Sequence, residues 1–306
     1  MRFGYFSNTA NLGLKKPFTQ ILDETRKIAT CVEDAGWESI WFTEHHFGHE
    51  GYEVCPNPIM MSADIAARTT TLRIGQAANI VTYWNPVRLA EDIAMLDHMS
   101  NGRIEVGVGR GIYGREAIHL NKDADLKDQA QNFRLFEQTM AFLKKAWSQE
   151  FVDHDGEFFT YPEPGFTWNH AESPKSAIFM NMETNELEKL AIVPRPLQQP
   201  HPPLWQVVDG PGSIQWAAEN GLGAMMWIPT VESLKWRFEM YREKASEAQG
   251  KDVPLGEGVA LVRDMFCAET MEDAKIDGGE GILSYLRWVC HFRGLGNHMD
   301  PGEELP

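Results

Sequence analysis

The chain has 306 residues, of which 43% are hydrophobic and 24% are charged, and its formal net charge is −16 at pH 7. This length suits one α/β barrel or two small domains, and a chain of this size and composition can bury a large core. The negative charge argues against nucleic acid and anionic membrane surfaces as partners, because the phosphates of both would be repelled.

The sequence carries no pattern typical of secretion or of membrane insertion. No uncharged apolar run approaches the ~18 residues that a membrane-spanning helix needs, and Met1 is followed by a strand-like run rather than by the apolar core of a signal peptide. The four cysteines are scattered and form no C-x-x-C pair: Cys31, Cys55, Cys267 and Cys290. These features predict a cytoplasmic protein with reduced thiols.

Apolar strand-like runs alternate with helical patterns in the first half of the chain. Helical spacing of apolar residues predicts helices at 19–35, at 59–68, from Pro86 onward and at 128–147. Pro86 suits the first position of its helix, because that position has no N–H partner inside the helix. The predicted strands are 3–6, 40–42, 72–79 and 103–109.

The alternation resumes after a long irregular segment. Residues 150–203 are rich in aromatic residues, proline and glycine, and a connection of about fifty residues is well above loop norms. We therefore expect an insertion or lid there, whose aromatic residues, with Trp205 beside them, would cover the mouth of the fold. Beyond it, strands are predicted at 204–208, 222–228 and 258–266, and helices at 213–220, 231–249 and 281–292.

This alternation favours βα units with parallel strands and right-handed crossovers. The seven predicted strands indicate a TIM (β/α)8-type barrel in a single domain over 1–306, with the insertion after the region of strand four and an apparently missing eighth strand. Pro306 stands where strand eight should begin, and the tail 300–306 is predicted to be disordered. An open doubly wound sheet is the alternative if the first and seventh strands cannot close.

Polar residues follow the second predicted strand, where Glu44, His45 and His46 come directly after the apolar run 40–42. In a barrel of this type, polar groups at the carboxyl end of a strand point into the active-site mouth. A zinc site is not predicted, because the H-E-x-x-H motif and an obvious completing ligand are absent. Acid–base work by at least one histidine is favoured over a structural histidine pair.

A glycine-rich motif follows the fourth predicted strand. Residues 109–114 match G-x-G-x-x-G, but a dinucleotide fingerprint should open directly into a helix and have an acidic residue about 20 positions on, at the end of the next strand. The next helix predicted here begins only at about Asp128. We therefore predict a flexible loop in which Arg110 is offered to an anion, with a salt bridge to a surface carboxylate as the alternative.

Two further strand ends could contact a ligand. Residues 209–213, Asp-Gly-Pro-Gly-Ser, can present N–H groups and a hydroxyl to phosphate, or can simply be a capped βα turn. Residues 76–79 end strand three with small side chains, which leave room for a flat ring or merely pack tightly. Trp227, at the end of strand six, can form an aromatic wall.

The order of these motifs resembles that of the bacterial luciferase-like flavin-dependent monooxygenases. The resemblance covers about 3–266 and implies a TIM barrel that receives reduced FMN from a separate flavin reductase. With O2, such an enzyme oxygenates an aldehyde, a ketone or another small organic molecule. The matching segments are Trp-Phe-Thr-Glu-His-His-Phe at 41–47, Gly-Gln-Ala-Ala at 75–78, 86–103, Gly-Arg-Gly-Ile-Tyr at 109–113 and Gln-Pro-His-Pro-Pro-Leu-Trp at 199–205.

The resemblance also implies roles for individual residues. His45 takes the catalytic position beside the flavin, and Ala77 and Ala78 lie against its ring, often with a non-proline cis peptide between them. Arg110 matches the ligand of the FMN phosphate. The remaining cofactor-binding positions are Ile112 and Tyr113 near the ring, Val208, Asp209, Gly210 and Ser213 at a second phosphate-binding turn, and Trp227.

Other functions remain open at this point. A deazaflavin (F420)-dependent dehydrogenase would share the barrel and its anion sites, although its acidic cofactor tail calls for more basic residues than Arg110 and Arg115. A non-catalytic flavin-binding protein is favoured by the missing strand and disfavoured by His45. The resemblance further implies a homodimer through the helices near the second and third strands, and it leaves the substrate unassigned.

Overall fold

The computed structural model describes residues 2–227 and 230–293, and seven parallel strands form its central sheet. Each strand pairs in parallel with the next one along the chain. All seven lie where the apolar runs predicted them, and the seventh is shorter than predicted. The strands are β1 (Gly4–Ser7), β2 (Ser39–Phe42), β3 (Arg73–Ile80), β4 (Ile104–Gly109), β5 (Leu204–Val207), β6 (Gly223–Trp227) and β7 (Val259–Val262).

Helices connect or flank these strands. Asn85 caps the third helix by accepting the N–H groups of Val87 and Arg88, with Pro86 at its first turn as predicted. Within the described ranges, no helix is both long and apolar enough to cross a membrane. The helices are α1 (Phe18–Asp34), α2 (Pro58–Ala66), α3 (Pro86–Met99), α4 (Gly114–Leu120), α5 (Gln129–Ser148), α6 (Pro211–Glu219), α7 (Val231–Gln249) and α8 (Met271–Arg293), with short 3-10 turns at Leu12–Leu14 and Lys122–Ala124.

The strands form a nearly closed barrel with one open seam. Their spatial order is their chain order, with β1 and β7 at the two edges of the sheet as described. This confirms the seven-stranded TIM-type barrel, whereas a doubly wound sheet would reverse its strand order at a switch point. The predicted disorder of 300–306 lies outside the described residues.

Two tryptophans fill the barrel interior. The rings of Trp41 on β2 and Trp205 on β5 meet edge to face, with centroids 5.9 Å apart. Glycines stand opposite them because a Cβ at Gly75 would lie 2.1 Å from the Trp41 ring, and one at Gly223 would lie 2.3 Å from the Trp205 ring. Trp205 is therefore part of the barrel core, and the expectation that it covers the mouth is wrong.

The segment 150–203 packs on the outside of the barrel. The ring of Phe142 on α5 contacts those of Phe159 and Tyr161, with centroids 5.8 and 5.5 Å away. Near the end of the segment, the backbone N–H of Gln198 donates to Asp97 on α3 at 2.7 Å. The cavity described below takes no lining residue from this segment, and its role as a lid stays a prediction.

Helix α8 packs against the loop that follows β2. Tyr52 in that loop stacks on Trp288, with ring centroids 5.1 Å apart, and its hydroxyl lies 2.9 Å from Ser284 Oγ. Phe292 packs against Tyr113 in the β4–α4 loop at 4.9 Å. The last described helix therefore lies beside the carboxyl ends of the strands, where the candidate residues are.

Candidate active site

A cavity that is partly open to solvent lies at the carboxyl ends of the strands, and the space between its lining atoms, including the solvent-open part, is about 470 Å³. Most of its lining is apolar, and the polar groups come from the loops after β1 and β2 and from α8. Such a site suits a flat, largely apolar ligand with a polar edge. The lining residues are Phe6, Asn8, Thr43, His45, Glu53, Ala77, Ile112, Val207, Met225, Trp227, Val262, Tyr285 and Val289.

His45 lies in this cavity between two carboxylates. Its backbone N–H donates to the carbonyl of Cys55 at 2.9 Å, which fixes the start of the loop. Its Nε2 lies 3.4 Å from Glu53 Oε1, and its Nδ1 lies 3.4 Å from Glu116 Oε1. Both carboxylates are buried. An imidazole held in this way can carry a proton and exchange it with a bound molecule.

The carboxylate of Glu53 receives two phenol hydroxyls. Tyr113, in the β4–α4 loop, donates to Oε2 at 2.7 Å, and Tyr285, on α8, donates to Oε1 at 2.8 Å. Glu116 is fixed differently, because its Oε1 accepts the backbone N–H of His46 at 2.7 Å. Neither glutamate belongs to a motif, and the sequence analysis missed both.

Glu44 ties the end of β2 to the end of β3. Its carboxylate accepts the backbone N–H of Ile80 at 2.8 Å and the indole N–H of Trp84 at 3.0 Å. The Nε2 atom of His46 lies 3.0 Å from the same carboxylate. Glu44 and His46 therefore support the ends of β2 and β3. The side chain of His49, in contrast, is 78% exposed.

Ala77 and Ala78 lie on β3 and are joined by a cis peptide bond, as the resemblance implied. Both are buried, and Ala77 lines the cavity. The register of the β3–β4 pairing shifts between Gln76 and Asn79, the two residues that flank these alanines. This strand end offers a narrow backbone wall without bulky side chains.

Ile112, Tyr113 and Trp227 lie around the same space. Ile112 and Trp227 line the cavity. Tyr113 is buried, and its ring centroid lies 5.1 Å from that of His45. Trp227 packs edge-on against Tyr285 at 5.8 Å.

Arg110 lies beside the second group of predicted residues. Its guanidinium donates to Asn132 on α5 at 3.3 Å and lies 5.5 Å from the centroid of the Phe133 ring. Burial lowers the pKa of this guanidinium, and the nearby carboxylate of Asp209 opposes the shift. Within the described ranges the guanidinium of Arg110 therefore contacts an amide and an aromatic ring, and the choice between a bound anion and a surface ion pair stays a prediction.

The turn 209–213 is a capped helix start. The N–H groups of Asp209 and Gly210 each donate to Ser213 Oγ at 3.3 Å, and that hydroxyl donates to the carbonyl of Gly210 at 2.9 Å. A Cβ at Gly210 or Gly212 would meet nothing within 4 Å, so the turn is open to a ligand. Val208 is buried, and its backbone N–H donates to Met225, so it lies behind the turn.

A second guanidinium, which the sequence analysis missed, supports this turn. Arg237 on α7 is 8% exposed, donates through Nη1 to the backbone carbonyl of Asp209, and donates through Nε to Ser233 Oγ at 2.9 Å. Burial lowers its pKa also, again opposed by Asp209. A bound anion near Asp209 would offset the cost of burying two guanidinium groups.

The interpretation of the glycine motif needs one correction. Helix α4 begins at Gly114, the last glycine of the motif, and not at about Asp128 as predicted. This helix has no side-chain cap and only seven residues, so no start signal was available. The second argument against a dinucleotide site stands, because the next strand, β5, begins only at Leu204.

The residues fit a flavin better than a metal. Thr43 lines the cavity, and its buried Oγ1 has no hydrogen-bond partner within the part of the chain that is described, so an orphaned polar atom lies next to the space that a ring would take. The half-buried guanidinium of Arg110, the buried one of Arg237 and an open turn fit a phosphate. Among residues 2–227 and 230–293, no three His, Cys, Asp or Glu side chains are arranged to hold a metal ion.

Comparison with known proteins agrees with this geometry. The family described as luciferase-like monooxygenase matches residues 1–288. The chain is 27% identical over 298 residues to the oxygenase component of flavin-dependent trigonelline monooxygenase from Acinetobacter baylyi, covering 96% of this chain and 72% of that protein. It is also 27% identical to an alkanal monooxygenase alpha chain from Photorhabdus luminescens, covering 77% of this chain and 56% of that protein.

The fold is also found in a solved structure. The oxygenating constituent of 3,6-diketocamphane monooxygenase from Pseudomonas putida, a type II Baeyer–Villiger monooxygenase in complex with FMN, matches with a TM-score of 0.77 at 22% identity. The match covers 97% of this chain and 78% of that one. At this level of identity the likeness establishes the barrel and not the reaction.

Proposed function

Because the chain belongs to the luciferase-like monooxygenase family, we propose that it is the oxygenase component of a two-component flavin-dependent monooxygenase. It takes reduced FMN from a separate flavin reductase and uses O2 to oxygenate a small organic substrate in the cytoplasm. The observation that carries the proposal is that His45, Ala77, Ile112 and Trp227 line one mostly apolar cavity.

Two groups of residues would hold the cofactor. Ala77, Ala78, Ile112, Tyr113 and Trp227 would surround the ring. Bound reduced flavin supplies the electrons with which O2 is activated. The phosphate would be held by Arg110, Asp209, Gly210 and Ser213, with Val208 behind the turn and Arg237 supporting it.

His45 would transfer a proton at Nε2, because its other ring nitrogen, Nδ1, is buried. Glu53 and Glu116 flank the ring at 3.4 Å each and stabilise its charged form. The apolar part of the lining would limit the access of water to a bound ring, which would reduce proton leakage from the reacting groups. The chain's own contributions are therefore orientation, a placed proton and a mostly apolar cavity.

An F420-dependent dehydrogenase is less well supported. Of the two arginines considered for its acidic cofactor tail, Arg115 donates to both carboxylate oxygens of Glu50, at 2.7 and 2.9 Å. That leaves fewer cations for several acidic groups. Binding of a flavin without catalysis does not require an imidazole between two buried carboxylates, so this arrangement favours an enzyme over a non-catalytic flavin-binding protein.

A homodimer is part of the proposal. The family resemblance assigns the contact to helices near the second and third strands. Exposed methionines on α2 and α3 support this assignment, because Met60 is 71%, Met95 51% and Met99 59% exposed. Sedimentation of the purified chain tests it, and a monomer at micromolar concentration contradicts it.

The function is tested with 18O2. Purified protein is supplied with reduced FMN by a generic flavin reductase, and a panel of aldehydes, ketones and N-heteroaromatic compounds is screened by mass spectrometry. We expect at least one product with a single 18O atom, dependent on both protein and FMN. Oxidised F420 is supplied to the same panel in a parallel assay.

Two results would overturn the proposal. One is substrate oxidation with reduced-F420 formation and no 18O incorporation. The other is FMN binding in which the whole panel yields H2O2 alone, which favours a non-catalytic flavin-binding protein.

A further inference from the structure

Glu53 joins three separate parts of the molecule at the cavity. It is 5% exposed and lies in the loop after β2. Its Oε1 is shared, because it accepts the hydroxyl of Tyr285 at 2.8 Å and lies 3.4 Å from Nε2 of His45. Its Oε2 accepts the hydroxyl of Tyr113 at 2.7 Å.

We propose that Glu53 is the positioning residue for His45. It fixes the orientation of the imidazole, favours its charged form, and makes both depend on the docking of α8 through Tyr285. The inference rests on the proposed function, because that function is what requires His45 to transfer a proton. Its geometry does not depend on any bound cofactor.

Two carboxylates lie against His45 among the residues that the structure describes. Glu53 approaches from the same loop and Glu116 from α4, each at 3.4 Å. The uncharged hydroxyls of Tyr113 and Tyr285 approach through Glu53, while Arg115 on α4 is bound to Glu50. A carboxylate within about 4 Å favours the protonated form of an imidazole.

Of the two carboxylates, Glu53 is the one that α8 can influence. Glu116 is fixed by the backbone N–H of His46, which belongs to the same stretch as His45. Glu53 Oε1 instead receives its hydroxyl from Tyr285, a residue on α8 that also lines the cavity. If α8 shifted away from the loop, Tyr285 would no longer donate to Glu53 Oε1, and this oxygen would then interact with His45 alone of the two.

The test follows the protonation of His45 in the ligand-free protein. His45 is monitored by 15N NMR as the pH is varied in the parent, in Glu53→Gln and in Glu50→Gln. We expect the midpoint of the His45 titration to fall by about 1 to 2 pH units in Glu53→Gln. Glu50→Gln removes an equal charge from the same loop at a residue that contacts Arg115 rather than His45, and it should move the midpoint much less than Glu53→Gln does.

A second pair of variants keeps the proposal testable if Glu53→Gln does not fold. Tyr285→Phe removes the hydroxyl that competes for Oε1, so the His45 midpoint should rise. Tyr52→Phe removes a hydroxyl that α8 also contacts, at Ser284, and it should have no effect on the midpoint.

The proposal is overturned if Glu53→Gln titrates like Glu50→Gln, or if Tyr285→Phe titrates like Tyr52→Phe. Because no flavin is present, this result is independent of the monooxygenase assay. A failed assay with shifted midpoints would reject the proposed function and leave the role of Glu53 intact.

Discussion

The imidazole of His45 has a carboxylate oxygen 3.4 Å from each of its nitrogens. The family resemblance of the stretch 41–47 selected His45 among the nearby histidines, and its catalytic role stays a prediction. The partners could not be selected in this way. Glu53 and Glu116 approach from a loop and a short helix, and only the folded chain brings them to the ring.

Replacing His45 tests its role in proton transfer. We expect His45→Ala to bind FMN as the parent does and to form product at least about 100-fold more slowly, since a placed acid–base group contributes 10² to 10⁴ in rate. Product is measured under saturating reduced FMN. His49→Ala is the control, and turnover in His45→Ala equal to that control would exclude the role.

Arg237 illustrates another limit of sequence reasoning at this scale. In the sequence it is one of several basic residues in the helical pattern 231–249. Its function depends on the packing of α7 against the β5–α6 turn, where it contacts the carbonyl of Asp209. A helical pattern indicates which face of α7 is apolar, but it does not identify the neighbouring turn.

At the scale of elements, strands were predicted more closely than short helices. β4 and β5 lie within one residue of the predicted ranges because their apolar runs end at glycine or at polar residues. Helix α7 has the predicted bounds, with Thr230 as its cap. Helix α4 was missed, and α8 begins ten residues before its predicted start, because Gly278, Gly279 and Gly281 interrupt its pattern.

A carboxylate at the end of α1 holds the start of β3. Glu33 Oε1 accepts the backbone N–H groups of Thr70, Thr71 and Leu72 at 2.8, 2.6 and 2.9 Å. Burial would raise the pKa of this carboxyl, but the N–H donors outweigh burial and lower the pKa to about 2. The charged form therefore stabilises the folded state.

This contact predicts a specific pH dependence. The stabilisation is fully present above the ordinary value of 4.5 and is lost as pH falls from 4.5 toward about 2. We expect Glu33→Gln to lower the free energy of unfolding by about 1 kcal/mol at pH 7, and this difference to shrink below pH 4.5. Urea unfolding between pH 3 and 7 measures it.

Glu239→Gln, on the exposed side of α7, serves as the matched control for the Glu33 variant. It should lower the free energy of unfolding by less than about 0.5 kcal/mol. A Glu33→Gln difference that stays constant from pH 7 to pH 3 would contradict the assignment.

At the scale of the whole molecule, the barrel brings the candidate residues to one end. Parallel strands with consecutive order have all their carboxyl ends on the same side, so residues 45, 77, 112 and 227 converge although they are far apart in sequence. That convergence was predictable from strand alternation alone. The placement of α8 was not, because its pattern alone does not distinguish the outer wall of a barrel from its mouth.

We expect one part of the site to bind the flavin ring and another part to bind its phosphate. The most direct measurement compares the dissociation constants of reduced FMN and reduced riboflavin, without oxygen, for the parent, for Arg110→Ala and for Arg134→Ala, an exposed arginine on α5 that pairs with Glu157. We expect Arg110→Ala to weaken FMN binding about tenfold to hundredfold, as for the loss of a charged hydrogen bond, and to leave riboflavin binding unchanged. Arg134→Ala should bind both ligands as the parent does. Equal losses for FMN and riboflavin in Arg110→Ala would contradict it.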